Sequence, residues 1–302
     1  QIILNTNKLN LNTNRMNNLK TATGFKLTAM NIANSLKAKL GIKGRLPEIG
    51  IVLGTGWGGK VNFSMKEDPI KLSIIPEFSS LNDLPGHERS YKYGFINDEI
   101  RVLALDGRIH LNESFGNPDV PSMVRLQIEV MFALGVKKLI LTCAAGSLPG
   151  SNIDPGDIMI LNGFSTLFVP DMPLIGGEFV SPEDSLQFYA NIFSFEDDGW
   201  KVVRSFRNRV SSGTYAMLRG PFFEGRRCDK QALASAGAHA VGMSMLPEAC
   251  IAALYGVNVL GLAFITNGPT GVHSHEDNIA RAKASSEDLS KFLTDCIYVV
   301  NS

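Results

Sequence analysis

Apolar positions change period along the chain. From Leu27 to Leu40 they recur at helical spacing (Leu27, Met30, Ile32, Leu36, Leu40) and stop at Gly41, which predicts a helix with a C-terminal glycine. Ile49-Gly-Ile-Val-Leu53 is instead a short continuous apolar run, the pattern of a strand buried on both faces, and it feeds Gly54-Thr-Gly-Trp-Gly-Gly59. Similar runs recur at Arg101 to Leu105, Lys138 to Cys143, Ile158 to Leu161, Tyr215 to Leu218 and Val257 to Thr266. Helical stripes fall between several of them. Val120 to Leu134 carries Val120, Met123, Val124, Ile128, Met131 and Phe132 on one side and stops at Gly135, while Ser285 to Val299 aligns Leu289, Phe292, Leu293, Cys296 and Ile297. Alternating strand and helix without a Pro/Gly/Ser linker predicts one α/β domain around a largely parallel sheet. The most apolar stretch, Ala249 to Ile265, is broken by Gly256, Asn258 and Gly261. A membrane span needs about 20 apolar residues, so this stretch predicts a buried helix running into a buried strand.

Composition narrows the partners. The 302 residues are 44% hydrophobic and 19% charged, enough for a sizeable core and unlike a disordered chain. Lys+Arg 29 balances Asp+Glu 29, so no net field attracts nucleic acid, and a small ligand is the expected partner. Cys143, Cys228, Cys250 and Cys296 are too scattered for a zinc ribbon or a disulfide framework, which predicts a reducing cytoplasm. The Asn-rich opening has no apolar core or cleavage site of a signal peptide; residues 1–20 are expected to be a disordered leader, with Met16 as a candidate initiator, ahead of a single domain over 21–302.

In α/β sheets ligands gather at the carboxyl edge of the strands, and here those ends are polar or small. Gly54-Thr-Gly-Trp-Gly-Gly59 is open to three readings: a dinucleotide fingerprint, a plain tight turn, or a monophosphate loop in which backbone N–H groups and the Thr55 hydroxyl converge on one anion. The acidic partner a dinucleotide site needs has no clear strand context. Gly107-Arg108-Ile109-His110 puts Arg108 and His110 on one side of an extended segment, suited to phosphate or to an exposed ion pair. Phe223 beside Glu224 offers a stacking ring and an acceptor for heterocycle N–H groups, or else a core ring and a helix cap. His273 and His275 lack a third ligand nearby, so no metal is expected, and His239 reads as a surface or internally satisfied histidine.

Taken in order, LGTGWGG, DLPGHE, DGRIHLNE, TCAAGSL, PGDIMIL, GPFFE, AVGMSMLPE and ITN resemble the trimeric purine nucleoside phosphorylase family, over about Ile49 to Leu293. The resemblance implies a single α/β domain with a mixed, partly barrel-like β-sheet flanked by helices, assembled as a homotrimer. It implies phosphorolysis of 6-oxopurine nucleosides to the free base and ribose 1-phosphate, with phosphate as co-substrate and no metal or organic cofactor. Carried over by position, it assigns phosphate to Thr55, His87, Arg108, His110, the backbone at Ala144, and Ser244. Purine and ribose fall to Phe223, Glu224, Met243, Asn267 and His275, with Asn267, His110 and Glu224 catalytic. Two positions depart from the family pattern: Asn112 stands where an aromatic is usual two residues after the motif histidine, and Ser147 replaces the second glycine of AAGG. Phe179 is the candidate for the aromatic lent to a neighbouring subunit. Alternatives are a xanthosine or methylthioadenosine phosphorylase, a catalytically silent nucleoside-binding paralogue, and an NAD-linked oxidoreductase on the glycine loop.

Overall fold

The structure, a computed structural model, describes residues 18–58, 64–82, 88–165, 172–178, 210–220, 227–270 and 275–302, without the side chains of 18, 275, 276, 278 and 279. Of the expected leader over residues 1–20, residues 1–17, and with them Met16, lie outside the described residues, as do His87, Phe179, Phe223, Glu224 and His273. Asn18–Lys20 instead form a 3-10 turn with Leu19 buried in the core, because an apolar residue just before the first helix can pack beneath it.

Among the described residues, ten strands form one sheet, in the order β10-β7-β8-β9-β6-β1-β5-β4-β2 with β3 on β4. They are β1 (Ile49–Leu53), β2 (Ser64–Met65), β3 (Ile70–Lys71), β4 (Ser90–Ile96), β5 (Ile100–Asp106), β6 (Lys138–Ser147), β7 (Ile158–Ser165), β8 (Val210–Met217), β9 (Ala240–Gly242) and β10 (Asn258–Asn267). A further pairing of β10 with β6 closes β10, β7, β8, β9 and β6 into a barrel, so the mixed, partly barrel-like architecture is present. The sheet is not largely parallel. β1 pairs in parallel with β5 and β6, but β4 runs against β5, β7 against β10 and β9 against β6. Periodicity reports burial and carries no strand direction, which is why apolar runs alone led to a parallel sheet.

Among the described residues, six α-helices flank the sheet: α1 (Ala22–Lys37), α2 (Val120–Ala133), α3 (Arg227–Ser235), α4 (Leu246–Leu254), α5 (His275–Ala284) and α6 (Ser286–Asn301). α1 starts earlier than the periodicity predicts, because the Thr21 side chain accepts from Gly24 N–H at 3.0 Å as an N-cap. Its buried stripe is Phe25, Ala29, Ile32, Ala33 and Leu36, while Leu27 and Met30 are 57% and 49% exposed, a correction to the predicted face. α2 stops at Gly135, which takes φ +114° and donates to Phe132 O, a geometry that favours glycine. The continuous run of β1 is buried on both sides. Val52 joins a core with α1, α2, α4 and the barrel interior, whereas Ile49, Ile51 and Leu53 join the α6 core of Leu289, Phe292, Leu293, Cys296 and Ile297.

Strand lengths decide where the chain ends meet. β6 and β10 run on past the parallel neighbour β1, and the overhang of β6, Gly146 and Ser147, pairs with β9 coming the other way. The antiparallel strand therefore delivers its exit, Met243 and Ser244, back toward the carboxyl ends of β1 and β5.

Candidate active site

Thr142, in the middle of β6, is fully buried and ties three segments together. Its hydroxyl accepts from Gly54 N–H at 3.0 Å and donates to Val52 O at 2.9 Å, fixing the glycine loop to its strand. Its carbonyl accepts from Arg108 Nη2 at 2.6 Å. The loop lies so close that a Cβ on residue 54 would sit 2.5 Å from that carbonyl, so only glycine fits there. Trp57 turns inward: its indole is buried and donates Nε1–H to Cys143 O at 2.8 Å, an anchor that leaves the half-buried Thr55 at the loop's outer turn.

Arg108 leaves β5 buried, at 1% exposure. The segment is held straight by Gln127 of α2, which accepts from Ile109 N–H at 3.0 Å and donates to Ile109 O at 3.3 Å, as a neighbouring strand would. Arg108 Nη1 donates to Ser244 Oγ at 2.8 Å, so β5, β6 and the β9 exit converge on one guanidinium. Behind it, Nε lies 3.0 Å from Glu248 Oε1 on α4. Met245, between Ser244 and the helix, takes φ +74°, an uncommon conformation for a side chain of that kind and a place where strain is held by the surrounding core.

His110 follows, half-buried, before a 3-10 turn over Leu111–Phe115. Glu113 Oε1 accepts from His110 N–H at 2.8 Å and lies 3.6 Å from Nδ1, while Oε2 accepts from Arg89 Nη2 at 2.6 Å. Burial would raise the Glu113 carboxyl, but the His110 hydrogen bonds and the Arg89 charge outweigh it and hold the group below the usual carboxylate range.

Asn267 ends β10 at 6% exposure, just past a register shift against β6. The neighbouring Thr266 hydroxyl lies 3.0 Å from Asn267 Oδ1 and 3.3 Å from Ala145 O, so it ties the end of β10 to β6 beside the Asn267 amide. Ser147, the glycine replacement, donates to Asn267 O at 3.4 Å. Asn112, the other departure, is also engaged. Its Oδ1 accepts from Gly220 N–H at 3.3 Å and its Nδ2 donates to Met243 Sδ at 3.7 Å, linking the β8 exit to the half-buried methionine. Ala144 lies two residues beyond Thr142 on β6, and the backbone of His275 opens α5.

Thus the structure brings Thr55, Arg108, Ala144 and Ser244 to the shared ends of β1, β5, β6 and β9, with His110 on the segment that continues from Arg108. Sequence reasoning missed Thr142, Gln127 and Glu248. Two of them stand inside quoted motifs, but nothing in their spacing announces a buried hub. His239 is satisfied, its Nδ1 accepting from Thr214 N–H at 3.1 Å. Among the described residues no group of three His, Cys, Asp or Glu side chains is placed to hold a metal ion, none of the four cysteines forms a disulfide, and no helix is long and apolar enough to cross a membrane.

Comparison with known proteins assigns the family. Residues 48–298 match the Phosphorylase superfamily. Purine nucleoside phosphorylase of Bos taurus is 31% identical over 263 residues, covering 82% of this chain and 87% of that protein. Purine nucleoside phosphorylase 1 of Bacillus subtilis is 32% identical over 242 residues, covering 76% and 84%. Among solved structures, Schistosoma mansoni purine nucleoside phosphorylase in complex with adenosine superposes with a TM-score of 0.71 at 25% identity, over 89% of this chain and 96% of that one. The chain belongs to the phosphorylase superfamily and, within it, to the purine nucleoside phosphorylases. It is accordingly an enzyme, a pentosyltransferase acting on purine nucleosides.

Proposed function

We propose that the chain catalyses phosphorolysis of 6-oxopurine nucleosides, inosine and guanosine, to the free base and ribose 1-phosphate. The observation that carries the reading is the convergence of the β5 exit, the middle of β6 and the β9 exit on the buried Arg108, with Ser244 and the glycine loop beside it. Such a cluster of oriented donors suits inorganic phosphate as the attacking co-substrate. Thr55, Arg108, His110, Ser244 and the Ala144 backbone orient it beneath the anomeric carbon, with His87 above, so that a bimolecular encounter becomes a positioned attack. Met243 underlies the ribose and His275 takes its 5′-hydroxyl.

As the glycosidic bond breaks, positive charge develops on the ribose and negative charge on the purine. The Asn267 side-chain amide donates through Nδ2 to N7 of the leaving base. Glu224 accepts from the N1–H of a 6-oxopurine, and its carboxylate offers no donor to the bare N1 of adenine; Phe223 stacks on the ring. The family resemblance and the scattered cysteines support a homotrimer in the cytoplasm, with nucleoside and phosphate as partners, no nucleic acid or membrane, and no metal or organic cofactor.

The test is kcat/KM for inosine, guanosine, xanthosine, adenosine and methylthioadenosine, each with and without phosphate. Inosine and guanosine are expected to lead by at least tenfold. Adenosine, the ligand in the Schistosoma mansoni complex, matching them would refute the base assignment, and xanthosine or methylthioadenosine leading would transfer it.

A further inference from the structure

Glu248 is the last residue of the motif AVGMSMLPE, and the proposed reaction gives it no role. It stands in the first turn of α4 with its side chain 2% exposed, facing Arg108, whose side chain is 1% exposed. Nε and Oε1 approach to 3.0 Å, yet neither atom has a hydrogen-bond partner among the described residues, so their attraction is one of charge rather than of aligned donor and acceptor. The two terminal nitrogens of Arg108 are oriented separately, by Ser244 Oγ and Thr142 O. Glu248 therefore adds a buried counter-charge to a guanidinium whose direction other groups already fix.

That counter-charge has opposite effects before and after phosphate arrives. In the empty site a buried guanidinium without a carboxylate would carry a large desolvation cost, and Glu248 offsets it. Once a phosphate dianion occupies the site, the same carboxylate repels it across a poorly screened interior. We propose that Glu248 is a positioning residue that offsets the buried charge of Arg108 in the empty site and, by repulsion, weakens the hold on inorganic phosphate. Weak holding suits a site that must also let a sugar phosphate go.

The inference rests on the reading that Arg108 binds phosphate, and the experiment separates the two. Glu248→Gln keeps the shape and removes the charge, so KM for phosphate should fall three- to tenfold while KM for inosine changes less than twofold. A merely structural lesion does not tighten a ligand. Arg108→Gln should raise phosphate KM at least tenfold, and in that background Glu248→Gln should no longer tighten phosphate. Inorganic phosphate should also raise the Tm of Glu248→Gln by more than it raises that of wild type, because the bound anion replaces the lost counter-charge. If Glu248→Gln yields no folded protein, Glu248→Asp, which draws the carboxylate back by one methylene, should shift phosphate KM in the same direction by a smaller factor. An unchanged or raised phosphate KM in the folded charge-removing variant, with Arg108→Gln impaired, overturns the role of Glu248. An unimpaired Arg108→Gln overturns the phosphate reading itself.

Discussion

Thr142→Val isolates the hub on which the candidate site is built. Valine has nearly the shape of threonine and suits a strand, so packing at this fully buried position is kept and only the hydroxyl is lost. Two hydrogen bonds go with it, Gly54 N–H to Thr142 Oγ1 at 3.0 Å and Thr142 Oγ1 to Val52 O at 2.9 Å. The amide of Gly54 becomes a stranded buried donor, costing about 1–3 kcal/mol, and the second bond adds about 0.5–1.5 kcal/mol. A total of about 1.5–4.5 kcal/mol corresponds to a Tm fall of roughly 2–7 °C for a chain of this size. Arg108 keeps its bond to the residue's carbonyl, so phosphate KM should rise moderately through the freed glycine loop rather than collapse. The assays are thermal unfolding at fixed protein concentration and phosphate saturation at fixed inosine, with Thr142→Ser as the control that retains the hydroxyl. A Thr142→Val protein within 1 °C of wild type and with the same phosphate KM would refute the role given to this residue.

Three further predictions concern the base and the histidine. Asn267→Asp replaces the N7 donor with an acceptor, so kcat for inosine should fall sharply and the inosine-to-adenosine ratio of kcat/KM should shift toward adenosine; an unchanged ratio would place residue 267 outside the base pocket. Glu224→Gln should lower kcat/KM for inosine and guanosine about 10- to 100-fold, the equivalent of about 1.5–3 kcal/mol for a bond to a charged acceptor, and full activity would make the carboxylate structural. Glu113 titrates below the usual carboxylate range in the folded protein. Its contribution is therefore whole above the unfolded pKa of about 4.3 and is lost as pH falls through the folded value. Glu113→Gln should unfold at lower urea than wild type at pH 7, with the gap closing toward pH 3; a gap that stays constant with pH would contradict the linkage.

The strands of the central sheet were legible because β1, β5, β6 and β10 are buried on both faces and so read as unbroken apolar runs. β4 was not, because Ser90-Tyr-Lys-Tyr-Gly-Phe-Ile96 mixes Lys92, paired with Asp106 at 2.7 Å, into a strand that alternates in neither period. α3 was missed for a related reason: only Lys230 and Leu233 are buried along it, too few to mark a face. Barrel closure rests on β6 meeting both β9 and β10, a contact between distant segments that local pattern does not encode. At the site, motif order pointed to Arg108, Ser244 and Asn267, since each stands at a strand end or within two residues of one. It was silent on Thr142 and Glu248, whose roles depend on which buried atoms they face once the sheet has folded.

The central claim is that phosphate is the nucleophile, and following inosine turnover by 31P NMR alongside hypoxanthine release tests it most directly. The account predicts one equivalent of ribose 1-phosphate for each hypoxanthine, and no base release when phosphate is omitted. Hypoxanthine released at an equal rate in phosphate-free buffer, or without a matching sugar phosphate signal, would contradict it.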